Sequence, residues 1–288
     1  MRTVVGIFLA LALSLAVTAG VCAEVVGRFV EVEGPVDLLK QGQLPVVTPK
    51  AQDGLEPGDV IRTKSQGRAQ VKFVDDTVLT IAPGSRVAIE AYMYDAAKGS
   101  RKAVLQVFRG MVETVVSKFI KTQEPDFIMK THTAVLGVRG THWYTLLGPN
   151  LTDIYNESGK LCVTNIFAEI KGEVCLKAME FTRVMFGMTP TVSTPFQLRE
   201  KGVLKQLLKT GDISHISTGP GTGGQGGGGG ALGFVDRFGF LNPQNPATNP
   251  TSSLYKPPQI LPPRTLIRPE PLVPGGTGGG GTPTPGGS

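Results

Sequence analysis

Residues 55 to 141 alternate apolar and polar side chains with a period of two, and short turn-forming clusters interrupt the alternation. Ala69, Val71 and Phe73 alternate with Gln70 and Lys72. Successive side chains of a β-strand point to opposite faces, so this pattern predicts strands that are buried on one face and solvated on the other. Many short strands at regular spacing, with no helical pattern between them, predict an all-β fold: a sandwich, a barrel or a solenoid.

Turn-forming residues set the expected strand boundaries. Asp75-Asp76-Thr77 turns the chain before the apolar positions Leu79 and Ile81. Arg109-Gly110 indicates a brief turn or bulge between two apolar stretches. The remaining strands are expected at residues 87–89, 104–108, 111–116, 127–131, 143–147, 153–156, 161–166 and 173–178.

The first 23 residues have the features of an export signal. Arg2 precedes an almost wholly apolar run over residues 4–17, and Val21 and Ala23 fit the small-x-small pattern that signal peptidase cleaves. We therefore predict a signal peptide over residues 1–23, a mature chain that begins at Glu24, and a periplasmic or secreted location. The apolar run is shorter than the roughly 20 residues of a spanning helix, so we expect no stable membrane span after processing. A retained anchor and acylation of Cys22 remain alternatives.

The composition divides the rest of the chain in two. Residues 24–211 read as one folded unit, which is long enough to bury a core. Residues 212–288 are rich in glycine and proline, and such a segment buries too little apolar area to offset chain entropy, so it is expected to be disordered. Residues 232–241 carry three phenylalanines and are either a docking peptide or a segment that packs weakly on its own domain.

One helix is expected near the end of the folded unit. Thr194 is a suitable N-cap, Pro195 suits the first helical position, and Gln197 completes a capping box. A stripe of leucines predicts the buried face, and Gly211 is placed to end the helix. The stripe consists of Leu204, Leu207 and Leu208.

Two cysteines remain once the predicted signal is removed. Cys162 and Cys175 have flanking sequences that suit neighbouring antiparallel strands. In an oxidising compartment they can form a disulfide worth about 3 kcal/mol, and two buried free thiols are the alternative. Two cysteines without a histidine at ligand spacing are too few for a structural zinc site.

Four ordered motifs are present: Gly58-Asp59-x-Ile61-x-Thr63, Phe73-x-Asp75-x-Thr77-x-Leu79-x-Ile81-x-Pro83-x-Ser85, Arg109-Gly110-x-Val112 and Val138-Arg139-Gly140-Thr141. Together they resemble the FecR domain over roughly residues 31–145, with a looser continuation to about residue 189. The resemblance implies an extracytoplasmic all-β domain of β-solenoid-like form. It implies structural or contact roles for Gly58, Asp59, Thr63, Asp75, Thr77, Ser85, Gly110, Arg139, Gly140 and Thr141. The usual Asp-Gly-Ser/Thr turn of the family reads Asp75-Asp76-Thr77 in this sequence.

The motif residues also have direct physical interpretations. Gly58 and Gly140 can supply positive φ or a close backbone approach. Asp59, Asp75 and Ser85 can hydrogen-bond turn amides. Arg139 can hold nearby carbonyls or carboxylates with a bidentate fork, which we favour, or it can bind an anionic ligand.

The best-known relatives regulate iron uptake from the membrane and carry a cytoplasmic segment that inhibits a sigma factor. The apolar run starts at residue 4, so we do not expect this chain to share the sigma-regulating function. We therefore expect a non-catalytic binding or scaffolding module that contacts an envelope protein or glycan. The alternative is an accessory sensor domain that works with a separate membrane receptor.

Other chemistry has weaker support. His132 and His142 flank Arg139 and could form a metal or proton site, although polar strand positions explain them better. Asp75-Asp76 lacks further oxygen ligands for calcium. Four aromatic residues either stack on a sugar or pack in the core, and we favour core packing. They are Trp143, Tyr144, Tyr92 and Tyr94. No serine lies in a nucleophile-elbow context and no basic face is clustered, so we expect no enzyme, no cofactor and no nucleic-acid partner.

Overall fold

The computed structural model describes residues 24–118 and 125–211. The predicted signal peptide and the predicted disordered tail lie outside the described residues. Fourteen strands and one α-helix, α1, are present in the described residues. The strands are β1 Gly27–Glu33, β2 Val36–Leu39, β3 Gly54–Leu55, β4 Val60–Thr63, β5 Arg68–Phe73, β6 Val78–Ile81, β7 Arg86–Asp95, β8 Ser100–Val115, β9 Phe127–Lys130, β10 Ala134–Leu147, β11 Leu151–Asn165, β12 Glu173–Leu176, β13 Glu180–Met185 and β14 Thr194–Pro195, and α1 is Leu198–Thr210.

The strands form one hydrogen-bonded network. Its main path runs β14-β13-β11-β10-β9-β8-β6-β5-β1-β3, and β2, β4 and β7 join it through the pairing of β7 with β8. Every pairing is antiparallel except β8 with β9. The expected all-β class with one short helix is confirmed. No helix among the described residues has the length and apolarity needed to cross a membrane.

The predicted alternation gives the main core. Ala69, Val71 and Phe73 on β5 are buried, whereas Lys72 is exposed and Gln70 is half-buried. The same core contains inward-facing side chains from strands between β1 and β13, so one apolar cluster holds most of the sheet together. Burial of the apolar surface of these side chains supplies the dominant favourable free energy of folding.

Several strands are longer than the sequence predicts. The Arg109-Gly110 step is a bulge within the continuous strand β8, where Gly110 has φ of 87° and the pairing passes from β7 to β6 and β10. The two strands expected at 153–156 and 161–166 are one strand, β11, and Gly159 takes φ of 83° between them. A glycine can change the strand direction without ending the hydrogen-bond ladder, which explains the missed continuity.

Helix α1 begins later than predicted. Gln197, not Thr194, is the N-cap, and Gln197 and Glu200 form the capping box. Thr194 and Pro195 instead form β14, which pairs with β13. The predicted leucine stripe is buried, and Gly211 ends the helix in the left-handed conformation, as expected. The stripe packs in a second apolar cluster with Met111, Tyr144, Tyr155, Phe181 and Phe196, so α1 covers this part of the sheet.

Candidate binding surface

Arg101 lies at the centre of a buried ion-pair cluster. Its Nη1 donates to Oδ2 of Asp75 at 2.6 Å, and its Nη2 donates to Oδ1 of Asp126 at 2.8 Å. The side chains of Arg101 and Asp75 are fully buried, and that of Asp126 is 4% exposed. Because the three residues come from β8, the β5–β6 turn and the residue before β9, the cluster ties three segments together.

Asp75 also organises its own turn. Its Oδ1 accepts hydrogen bonds from the Thr77 amide at 3.1 Å and the Tyr92 hydroxyl at 2.6 Å, and its Oδ2 accepts one from Thr77 Oγ1 at 2.7 Å. Burial by itself would raise the pKa of Asp75, but hydrogen bonds from Arg101, Tyr92 and Thr77 hold that pKa below its ordinary value. Burial, together with the Asp75 charge, raises the pKa of the Tyr92 hydroxyl. Asp75 is therefore a charged structural anchor with its oxygens occupied.

A second contact joins the end of β4, the residue before β7 and the bulge of β8, through Thr63, Ser85 and Gly110. Thr63 Oγ1 donates to the Ala82 carbonyl at 2.7 Å and accepts from the Ser85 amide at 2.8 Å. Ser85 Oγ lies 3.0 Å from the Met111 amide nitrogen and 3.1 Å from its carbonyl oxygen. A Cβ on Gly110 would lie 2.2 Å from Ser85 Oγ, so only glycine fits this approach.

Gly58 and Asp59 hold the turn before β4. Gly58 has φ of 93°. The buried Asp59 carboxylate accepts hydrogen bonds from the amides of Gln41 and Glu56, each at 3.0 Å, and from Lys40 Nζ at 2.8 Å. The carboxylates of Asp59 and Asp75 accept hydrogen bonds from turn amides, whereas the amide that donates to Ser85 Oγ belongs to Met111 within strand β8.

The last motif lies in the middle of β10. Gly140 has φ of 57°, and a Cβ there would lie 2.5 Å from Lys118 Cβ. Thr141 Oγ1 donates to the Lys160 carbonyl at 2.9 Å. Within the described parts of the chain, no hydrogen bond or ion pair joins the Arg139 side chain to another residue. A role for Arg139 in holding carboxylates or an anionic ligand therefore stays a prediction.

Sequence reasoning missed Arg101, the arginine whose guanidinium joins the two buried carboxylates of Asp75 and Asp126. The signal was present in the alternation, because Arg101 has the same parity as Ala103, Leu105 and Val107, which all face the core. Residues 98–102 contain no apolar side chain, and the strand predicted from the sequence therefore began only at residue 104.

Cys162 and Cys175 form a disulfide, as predicted. They lie directly opposite each other on β11 and β12. The Glu173 carboxylate lies near both sulfur atoms, but the bonded sulfurs offer no thiolate to a metal ion.

The two histidines have separate environments. Nε2 of His132 is buried without a hydrogen-bond partner among the described residues, and burial lowers the pKa of this ring. Nε2 of His142 lies 2.9 Å from Glu113 Oε1, and its Nδ1 lies 3.6 Å from Glu157 Oε1. Lys201 of α1 also pairs with Glu157, so His142 belongs to a polar network between the sheet and the helix.

The aromatic residues considered for sugar stacking are mostly in the core. Trp143 and Tyr144 are fully buried and Tyr92 is nearly so. Phe73 and Tyr92 stack with their ring centroids 4.4 Å apart. The interpretation of these residues as packing residues is confirmed, and Tyr94 is half-buried.

Exposed apolar side chains at the end of β13 lie beside the half-buried Phe167. We call this group the Phe186 patch and define it as Phe167, Met185, Phe186 and Met188. Phe186 and Met188 are each 53% exposed, and the rings of Phe167 and Phe186 meet edge-to-face with centroids 5.1 Å apart. Asn165 ties the two loops together, because its Nδ2 donates to the Met188 carbonyl at 2.6 Å and its Oδ1 accepts from the Phe167 amide at 2.8 Å.

Buried Asp, Thr and Ser side chains that close the turns of a multi-stranded sheet define a structural all-β module. Residues 59–159 match the family model described as FecR protein, so the chain carries a FecR domain. All the predicted motif residues except Gly58 fall within the matched range.

Two crystal structures from Parabacteroides distasonis ATCC 8503, each described as a "putative anti-sigma factor", are similar to this chain. The 2.50 Å structure is 16% identical with a TM-score of 0.41, and the 1.65 Å structure is 17% identical with a TM-score of 0.40. Each comparison covers 51% of this chain and 64% of the other, so the chain spans less than two thirds of those structures. No curated protein matches the sequence.

Proposed function

We propose that this chain is an exported, non-catalytic binding or scaffolding module that contacts another protein of the cell envelope through the Phe186 patch. The observation that carries the proposal is the exposure of Phe186 and Met188 beside Phe167 on two loops that Asn165 holds together. In this view residues 1–23 direct export and residues 212–288 tether or extend the module.

The composition of the patch favours protein contact. Aromatic residues and methionine are enriched where proteins meet, and methionine adapts its shape to a partner surface. Asn165 fixes both loops before binding, which lowers the ordering entropy that association must overcome. A protein partner would bury these apolar side chains, so binding gains free energy in proportion to the area covered.

The motif residues support a non-catalytic role. The carboxylates of Asp59 and Asp75 and the hydroxyls of Thr63 and Ser85 are buried and hydrogen-bonded to turns. Side chains engaged in this way stabilise the backbone conformation and are not accessible to a substrate. The motif residues therefore have a structural role, and we assign partner contact to exposed side chains outside the motif.

The test is capture of partners from crosslinked periplasm with the full chain and with residues 24–211. We expect both to recover the same protein, and Phe186→Ser with Met188→Ser to abolish capture. Met93→Ser is the matched control, because Met93 is 67% exposed and lies on β7 outside the patch. Recovery of no partner by either form, or capture by the full chain alone, would contradict the proposal.

A second candidate is an accessory sensor that lends its domain to a separate membrane receptor. The FecR match favours it, because the family is regulatory. Deletion of the gene should then change transcription, and the Arg139→Ala variant should fail to restore the response. An unchanged transcript profile on deletion would count against this candidate.

A further inference from the structure

Three arginines lie side by side across adjacent strands. Arg62 on β4 is directly opposite Arg86 on β7, and Arg86 is directly opposite Arg109 on β8. Side chains at directly opposed positions project from the same face of a sheet. Ile61 and Val87, the neighbours of opposite parity, are fully buried, so the arginines project outward. We call Arg62, Arg86 and Arg109 the arginine row.

The row has a surplus of positive charge. Asp37 on β2 continues the row opposite Arg62, and it accepts hydrogen bonds from Arg62 and pairs with Lys64. The hydrogen bond from Lys64, together with Arg62, lowers the pKa of Asp37, so this carboxylate stays ionised and its charge is already balanced by these two cations. Among the residues that the structure describes, neither Arg86 nor Arg109 forms an ion pair. One carboxylate therefore faces four cations.

Stability alone does not favour this arrangement. Like charges directly opposite each other on neighbouring strands are destabilising. A ligand that carries several negative charges would remove the repulsion and gain charge-assisted hydrogen bonds from the guanidinium forks. Strands lie about 4.8 Å apart, so the row offers three forks over about 10 Å, which suits closely spaced anionic groups on a linear polymer.

An exposed aromatic ring adjoins the row. Phe108 is 40% exposed, and Arg86 Cζ lies 4.9 Å from the centroid of its ring. The β7–β8 register shifts at this point, so that Phe108 and Arg109 both lie beside Arg86. A cation over one part of a ring face orients the guanidinium, and the rest of the exposed ring can pack on the apolar face of a sugar.

We propose that the arginine row and Phe108 form a binding surface for an acidic linear glycan, whose carboxylate or phosphate groups engage Arg86 and Arg109 while a sugar ring packs on Phe108. This surface is separate from the Phe186 patch and does not depend on a protein partner there. Its recognition chemistry is repeated anionic groups on a carbohydrate backbone.

The test measures binding of the full chain to polygalacturonate, to phosphorylated dextran, to neutral dextran and to poly-L-glutamate at two salt concentrations. We expect binding to one or both anionic glycans, with the preferred polymer identifying carboxylate or phosphate as the recognised group. Binding should weaken as salt rises, because exposed charges are screened. Neutral dextran should not bind, and poly-L-glutamate should bind more weakly than the preferred glycan.

The variant Arg86→Gln with Arg109→Gln should lower the affinity for the preferred glycan about tenfold or more. Lys177→Gln with Lys209→Gln is the matched control, because it removes the same charge from two other exposed positions and should change the affinity less than about twofold. Phe108→Ala should weaken glycan binding without changing binding to poly-L-glutamate. The circular-dichroism spectrum and urea midpoint of each variant check that it is folded.

Equal losses in the two double variants would reduce the effect to net charge and overturn the proposal. Retention of glycan binding by folded Arg86→Gln with Arg109→Gln would also overturn it. Equal or tighter binding of poly-L-glutamate would assign the surface to an acidic protein instead. None of these variants changes a residue of the Phe186 patch. The glycan experiment can therefore fail while the envelope-protein experiment succeeds, and the reverse is also true.

Discussion

Arg101 and Asp75 form a buried ion pair in which Nη1 and Oδ2 lie 2.6 Å apart and both side chains have no solvent exposure. Asp75 belongs to the predicted family motif, whereas Arg101 lies in β8 before the start of the strand predicted at residues 104–108. The Asp75 carboxylate therefore holds β8 through Arg101 as well as its own turn through Thr77.

Removal of the cation should be strongly destabilising. Arg101→Met leaves the carboxylates of Asp75 and Asp126 buried without their shared partner, and breaking a buried pair in this way costs about 3–5 kcal/mol. Urea unfolding at pH 7 measures the change. Lys102→Met is the control, since Lys102 is the exposed neighbour on the opposite face of β8 and should change stability by less than about 0.5 kcal/mol. A loss below about 1 kcal/mol for Arg101→Met would contradict the prediction.

The stability difference between the wild type and Arg101→Met should shrink in acid. The folded-state pKa of Asp75 lies below its unfolded value, so its stabilisation is complete above about pH 4 and is lost as the pH falls through the folded-state pKa. In the variant, burial without Arg101 raises the pKa of Asp75, so protonation relieves the destabilisation as the pH falls. Urea titrations from pH 7 to pH 2.5 should show the two curves converging, and a constant gap would argue against this account.

The sequence predicted the all-β class and the buried face of β5 because both depend on the local alternation of side chains. It predicted the disulfide because Cys162 and Cys175 are the two cysteines left after the predicted signal peptide. It could not predict that Arg101 meets Asp126, since that contact depends on how β8 and β9 lie side by side. The exposed row of Arg62, Arg86 and Arg109 was equally hidden, because only the strand register brings these residues together. Periodicity fixes which face a side chain takes, whereas register fixes its neighbours.

The close contact between Gly110 and Ser85 should make Gly110 intolerant of any side chain. A Cβ there would lie 2.2 Å from Ser85 Oγ and would also require φ of 87°. Gly84→Ala isolates the backbone term, because Gly84 has φ of 72° and open space around its Cβ position. We expect Gly84→Ala to lower the free energy of unfolding by about 1–2 kcal/mol and Gly110→Ala to lower it by clearly more. Equal losses in thermal or urea unfolding would show that the steric contact is unimportant.

Asp76 stands where the related motif has glycine, and it takes φ of 64°. Its side chain is 75% exposed and pairs with the exposed Lys72, an interaction that contributes little. Asp76→Gly should therefore raise the free energy of unfolding by about 0.5 kcal/mol, because glycine adopts this conformation without steric strain. Asp76→Ala should lower it, since alanine keeps the strain and loses the local hydrogen-bonding ability of aspartate. The two variants changing stability in the same direction would contradict the backbone explanation.

The disulfide should contribute through the unfolded chain. It joins residues 13 positions apart, and closing a loop of about this length stabilises the folded state by about 3 kcal/mol in the loop-entropy model. Cys162→Ala with Cys175→Ala should lower the free energy of unfolding by about this amount in urea. Reductant should bring the wild type to nearly the same stability and should leave the double variant unchanged. If the reduced wild type were as stable as the oxidised protein, the cross-link would have no role in stability, and the pairing of β11 with β12 would have to be held by its backbone hydrogen bonds alone.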